Sequence, residues 1–298
     1  MKAIVLSCDK YLKFAAHTIL SYEKRWSNHP FTFRVPYGEA EFLPDFKQYR
    51  NKVELLQTDS CKMAYSVESP SGPKKVSLIR PTVLKLIEDI PDDEWIYWCM
   101  DDRYPIRMQE DKGKDLYEFI KNIEDPQVVQ VNFIRNTKQG YWKSDKFLKE
   151  DGQLYTPNKQ ILRETVFTEQ SEIKSIWMHQ FLRAKVLRRI FLGFPDRAFL
   201  GKEMDSFNHP KLPGEKCYFL EKNIGIYGES SSRGEITENC VASFKSLGLE
   251  LPKDMKISKK YYVVGELPYK FLGLEFKLPK RLDQFLTSVN RWRSRTLG

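Results

Sequence analysis

Cysteine is sparse in this chain of 298 residues, and the five present are scattered: Cys8, Cys61, Cys99, Cys217 and Cys240. An odd number with no C-x-x-C pair excludes a disulfide framework and a zinc cluster, and fits a chain kept reduced. Histidine is scarcer: His17, His29, His179 and His209 show no metal-ligand spacing. Gly (15) and Pro (16) are too few for a disordered or collagen-like chain. No apolar run approaches the roughly 20 residues that a membrane-spanning helix needs. The opening run Ala3-Ile4-Val5-Leu6 is too short for the core of a signal peptide. The expectation is a cytoplasmic protein.

What the chain does have is an ordinary globular composition, with 41% hydrophobic and 30% charged residues. Its length suits one large domain, or one domain with an appendage. The net charge of +9 is unevenly placed. Residues 269–298 hold seven basic side chains and two acidic ones, so this tail carries +5 and everything before it only +4. Such a tail suits nucleic acid, an anionic membrane face or an anionic substrate.

The first hundred residues alternate between strand and helix periods. Ala3–Leu6 reads as a strand, and Lys10–Arg25 as a helix with Asp9 as its N-cap. Phe31–Val35 and Val53–Leu56 read as strands, Thr58–Lys75 as a surface loop, and Val76–Ile90 as a helix with Pro81 in its first turn. Trp95-Ile96-Tyr97-Trp98-Cys99-Met100 is continuously apolar, the mark of a strand covered on both faces. This order predicts an open, mostly parallel α/β sheet flanked by helices, with ligands beyond the carboxyl ends of its strands. Further on, Val128–Ile134 reads as a strand, Glu172–Leu192 as a long helix, Tyr218–Leu220 and Ile224–Tyr227 as short strands, and Thr237–Leu247 as a helix closed by Gly248.

The sharpest chemical feature is Asp101-Asp102, directly after the strongest strand. Adjacent carboxylates leaving a buried strand repel each other unless a cation or a donor compensates. A hard divalent ion shared with substrate phosphates would do so; a turn built on Asp-Asp-Arg-Tyr-Pro, with Arg103 neutralising one acid, is the plainer alternative. Asp92-Asp93 and Glu124-Asp125 sit by prolines and read as solvated turns.

The polar Ser7-Cys8-Asp9 corner after the first strand, the helix over 77–88 and the apolar strand ending in an Asp pair resemble a GT-A glycosyltransferase. The stretch from Val83 to Asp102 is similar to the sugar-nucleotide-binding core of bacterial surface-polysaccharide transferases (the lipopolysaccharide, capsule and exopolysaccharide type). Ser175-Ile176-Trp177, the run from Gly201 to Phe207, and the run from Tyr227 to Gly234 follow in the same order. The likeness spans about residues 1–250, which makes 1–250 a nucleotide-sugar and acceptor-binding domain and 251–298 a basic extension. One departure is plain: the family's Asp-x-Asp reads Met100-Asp101-Asp102 here, without its first acid.

The resemblance implies roles. Ser7 and Asp9 would face the base and ribose of a nucleotide-sugar donor. Asp102 and Asp101 would hold Mn²⁺ or Mg²⁺ on the diphosphate leaving group. Glu203 or Asp205 would act as base toward an acceptor hydroxyl, sharing a side if that segment is extended and diverging in a helical turn. His209 is a weaker candidate. The loop over 230–234, with Arg233, would wrap phosphate, as would Lys74 and Lys75. Trp177 fits the core or the edge of a cleft. Leu278, Leu282, Phe285, Leu286, Val289 and Trp292 form one helical stripe bordered by basic residues. It packs on the protein's own core or lies on an anionic membrane, which would bring a lipid-linked glycan acceptor within reach at the inner face of the membrane. Nucleotidyl transfer on a related fold is the alternative enzyme reading, but the first strand lacks a Gly-rich signature. A non-enzymatic, basic nucleic-acid-binding protein is the other alternative, prompted by the +9 charge; the excess is concentrated in the tail and no such motif is present, so no nucleic-acid partner is expected.

Overall fold

The computed structural model describes residues 1–46, 52–70, 72–132, 167–170, 176–206, 211–220, 224–232, 234–253, 255–259, 263–264, 269–271 and 274–276. The first half of the chain holds β1 (Lys2–Leu6), α1 (Leu12–Arg25), β2 (Thr32–Tyr37), β3 (Val53–Gln57), β4 (Tyr65–Val67), β5 (Lys74–Val76), α2 (Ile79–Leu86), β6 (Trp95–Met100), β7 (Arg103–Met108), α3 (Glu110–Lys121) and β8 (Val128–Asn132). Then come β9 (Phe167–Gln170), β10 (Gln180–Arg183), α4 (Ala184–Leu192), β11 (Lys216–Leu220), β12 (Gly225–Glu229), β13 (Ser231–Ser232), β14 (Glu235–Ile236), α5 (Glu238–Ser246), β15 (Val263–Val264), β16 (Tyr269–Phe271) and β17 (Leu274–Phe276).

The central sheet has eight strands in the order β3-β2-β1-β6-β10-β8-β11-β9. β3, β2, β1, β6, β8 and β11 share one direction, and β10 and β9 run against it. Period-two alternation splits β6 cleanly between two cores. Trp95, Tyr97 and Cys99 pack with Leu12, Ile19 and Tyr22 of α1 and Leu116 and Ile120 of α3. Ile96, Trp98 and Met100 face the other way, onto Val83 and Leu86 of α2 and Leu187 and Phe191 of α4. All six β6 residues are buried, which is why that stretch of sequence is apolar without a break.

A smaller antiparallel sheet, β15-β12-β7, leaves the central one right after Asp102. Phe14 of α1, Tyr104 of β7, and Cys240 and Phe244 of α5 form its own cluster. A side chain at Gly228 would collide with the Tyr104 ring, so the close packing of β12 on β7 requires glycine there. All five cysteines are free and buried.

Three expectations change. Of the long helix read over 172–192, the described residues 176–192 are instead a turn, then strand β10, then the shorter helix α4. Gln180–Arg183 is inserted between β6 and β8 and buried on both faces, so sheet pairing overrides a helix-like apolar spacing. The stretch over 58–75 contains the β4–β5 hairpin. Asp9 is not an N-cap: Tyr11 holds that position before α1, and Cys8 holds it before the short 3₁₀ turn Asp9–Tyr11, neither with a side-chain cap bond. Helix α5, by contrast, starts where expected, with Thr237 accepting from the Cys240 N–H. The apolar stripe over 278–292 lies outside the described residues.

Candidate functional site

β1 and β6 run side by side and end together, Leu6 opposite Met100. Ser7-Cys8-Asp9 and Asp101-Asp102 therefore emerge next to each other at the carboxyl end of the sheet. The Asp101 N–H extends the pairing, donating to Leu6 O at 3.2 Å. The acid pair occupies the turn where the chain passes from the central sheet to the small one.

Asp101 is buried, and Asp102 is partly exposed with its Oδ1 sealed from solvent and unpartnered. Burial, and then the neighbouring Asp102, push the Asp101 carboxyl well above the usual carboxylate range. Burial pushes Asp102 up as well, and Arg103 pulls against it. Arg103 is itself drawn toward Glu229, with Nη1 donating to Oε2 at 3.4 Å. Two further hydroxyls here are buried without a partner. Ser7 Oγ lies beside Asp101, close enough to favour the ionised carboxylate, but completes no well-formed hydrogen bond. Ser230 Oγ lies beside the Cys240 thiol and likewise completes no well-formed hydrogen bond, although the Ser230 N–H donates to Asp102 O at 2.7 Å. Three orphaned oxygens on one small turn are costly unless a ligand completes them.

Asp9 is buried one residue beyond Cys8, and its Oδ1 accepts the Gly38 N–H at 2.7 Å. A β-carbon on Gly38 would come within 2.6 Å of Asp9 Oδ2, so glycine lets the two loops meet. Asp9 thus ties the end of β1 to the end of β2. Lys62 packs at the same corner and pairs with Asp59 at 2.8 Å. Tyr11 lies within electrostatic reach of both acids, which help burial raise its phenol.

These residues suit a hard divalent cation. The donors are carboxylate and hydroxyl oxygens, one carboxylate oxygen is orphaned, and the acids disfavour being charged together. Among the described residues no three His, Cys, Asp or Glu side chains cluster as a ready-made cage. Two carboxylates with phosphate completing the shell is the arrangement Mg²⁺ commonly takes.

Other candidates fall elsewhere. Gly201–Ser206 is a 3₁₀ turn, so Glu203 and Asp205 do not share a face as they would on a strand. Glu203 Oε1 accepts the Leu200 N–H at 2.9 Å and Oε2 faces Arg197 at 3.3 Å, which together hold its carboxyl below the ordinary value. The 230–234 segment lies at the β13–β14 hairpin, where Ser231 pairs with Ile236 and Ser232 with Glu235. Arg233, His209 and the Asp205 side chain lie outside the described residues. Lys74 and Lys75 stand exposed on β5. Trp177 packs partly buried against the second core.

Behind the turn lies a polar cluster that the sequence did not disclose. His179 Nε2 lies 3.0 Å from the Met100 N and 3.2 Å from the Met100 O, so it pairs with the Met100 backbone in either tautomer. Its Nδ1 faces Tyr22 OH at 2.6 Å. Tyr22 OH also meets Tyr97 OH and Tyr227 OH, each at 2.8 Å. One hydroxyl proton and two lone pairs account for all three contacts. Burial drops the His179 pKa to about 3, so the ring is neutral.

No family model and no curated protein matches this chain. Among solved structures, an active-site mutant of LgtC is similar at 12% identity and a TM-score of 0.40, over 97% of this chain and 96% of that one. The galactosyltransferase LgtC in complex with donor and acceptor sugar analogs is similar at 14% identity and a TM-score of 0.39, over 95% and 99%. Values this low transfer neither a site nor an activity.

Proposed function

We propose that this protein is a GT-A-type glycosyltransferase that takes a sugar from a nucleotide donor and passes it to a hydroxyl of a glycan acceptor. The observation that carries the reading is the pair of buried acids at the adjoining ends of β1 and β6, with Asp102 Oδ1, Ser7 Oγ and Ser230 Oγ left without partners. Open α/β sheets bind ligands at this end.

Asp102 and Asp101 would hold Mn²⁺ or Mg²⁺, which supplies positive charge to a departing diphosphate. Ser7 and Asp9 line the side toward the base and ribose; the free oxygen of Asp9 is the ribose contact, because Oδ1 already serves Gly38. Ser230 presents its hydroxyl from the opposite side of the acid turn. For the acceptor base, Glu203 is already engaged by Leu200 and Arg197, so Asp205 is the acid to test first. Among the described residues no helix is long and apolar enough to cross a membrane. The apolar stripe over 278–292, with its bordering basic residues, is proposed to lie on an anionic membrane, where lipid-linked acceptors reside.

Calorimetric titration with UDP, GDP and other nucleoside diphosphates, with and without Mn²⁺, tests the reading. Saturable metal-dependent binding that Asp102→Ala abolishes is the expected result. No binding to any nucleoside diphosphate, with Asp102→Ala indistinguishable from the parent, overturns it.

A further inference from the structure

The acid turn is held by groups that do not themselves face the ligand, and one hydroxyl has an unusual share in this. Thr18 is fully buried on α1, and its Oγ1 lies 2.9 Å from Asp101 O and 3.0 Å from Arg103 O. Inside a helix, serine and threonine hydroxyls normally bond back to the carbonyl four residues earlier. Ser21 on the same helix does so, donating to His17 O at 2.7 Å. Thr18 instead directs its single proton between two carbonyls that flank Asp102. The carbonyl between them, Asp102 O, accepts the Ser230 N–H. Three successive carbonyls are thus fixed from behind, two of them by one side chain.

Thr18 is in turn fixed. Tyr22 stands one helical turn further along the same face of α1 and is locked to β6, β12 and His179 through its hydroxyl. That cluster sets the depth of α1 against the sheet, and so the height of Thr18 under the turn.

We infer that Thr18 is a positioning residue for the nucleoside-diphosphate site: its hydroxyl pins the peptide groups on either side of Asp102 and so aims that carboxylate. The inference rests on the function proposed above. Groups that orient metal-ligating side chains without touching the metal commonly change affinity by about 10–100-fold when removed. Valine replaces threonine with nearly the same shape and no hydroxyl; serine keeps the hydroxyl and loses a methyl group.

The test compares Thr18→Val, Thr18→Ser and Asp102→Ala with the parent chain. Its readouts are calorimetric binding of a nucleoside diphosphate with Mn²⁺, and hydrogen exchange of the peptide spanning 100–104. We expect Thr18→Val to remain folded by thermal melting, bind about 10–100-fold more weakly, and exchange faster at the turn. Thr18→Ser should restore both. Parental binding and exchange in Thr18→Val overturn the inference, as does a Thr18→Ser variant as weak as Thr18→Val. Should Thr18→Val not fold, Thr18→Ala takes its place with the same outcomes. If Asp102→Ala binds normally, the site reading itself has failed; if Asp102→Ala abolishes binding and Thr18→Val binds as the parent does, only the positioning role has failed.

Discussion

Two polar clusters meet at Met100. Behind it, His179, Tyr22, Tyr97 and Tyr227 satisfy one another completely, in a fully buried setting. Just beyond it, Asp102, Ser7 and Ser230 each keep an oxygen with no partner. Both clusters are shielded from water and both use ordinary side chains. What differs is completeness. A closed network adds rigidity and fixes how elements meet, whereas an open one lowers the stability of the free protein and raises what a ligand can gain. The same short stretch of β6 serves both, and this is how the acid turn stays rigid while its oxygens go unpaired.

The largest expected effect separates the clusters by acid. His17 and His179 are buried and neutral, with pKa values lowered to about 3. The unfolded chain takes up those protons near the ordinary histidine value of about 6.5, well before the folded one does. Stability therefore falls with pH from about 6.5 toward 3, by about 1.4 kcal/mol per pH unit for each histidine. Asp101 and Asp102 work in the opposite sense, because raised carboxyl pKa values make the folded state gain from acid. Urea unfolding of the parent and His17→Gln at pH 6, 5 and 4 isolates one histidine from the opposing acids: the variant should lose about 1.4 kcal/mol less per pH unit than the parent. The same pH dependence in both would contradict a neutral buried ring at position 17.

Next in size is Tyr22→Phe. It strips the central hydroxyl, so His179 Nδ1 loses its Tyr22 contact while Tyr97 OH and Tyr227 OH each lose one contact and still face each other, at a cost of about 1–3 kcal/mol. A loss below about 0.5 kcal/mol in denaturant unfolding would show that the cluster is not closed as described. The smallest effect has the opposite sign. Asp101→Asn removes a carboxylate that burial and Asp102 both disfavour, and should raise the melting temperature by roughly 2–4 °C, the shift that about 1 kcal/mol produces in a domain of this size. It should weaken binding of a nucleoside diphosphate with Mn²⁺ at the same time. A melting temperature that falls would mean that Asp101 already has a compensating partner.

The sequence disclosed those parts of the molecule where one physical rule acts alone. The unbroken apolar run of β6 could only be a strand covered on both faces, and the acids that follow it could only lie at the sheet's carboxyl end. Gln180–Arg183 was illegible because its neighbours β6 and β8 lie far away in the chain, and its apolar spacing suits a helix as well. Ser230 was visible as part of a polar loop, but its closeness to Asp102 depends on β12 returning beside β7. Thr18 gave no signal at all: a threonine within an amphipathic helix pattern looks like filler until a carbonyl from 83 residues further along the chain is placed against it. Asp9 was singled out for its position after the first strand, yet its bond to Gly38 spans two loops and leaves no local trace.

The buried cysteines have a practical consequence. Burial raises the thiols of Cys8 and Cys240 to about 12, and those of Cys61 and Cys99 upward too, so little nucleophilic thiolate exists at neutral pH. An alkylating dye added to the native protein therefore reports breathing motions rather than surface chemistry. Cys8 and Cys61 lie at the end of β1 beside Ser7 and Asp9, Cys99 marks the central sheet, and Cys240 marks the helix behind the small one, so the wild-type chain already carries separate built-in reporters for how each region opens.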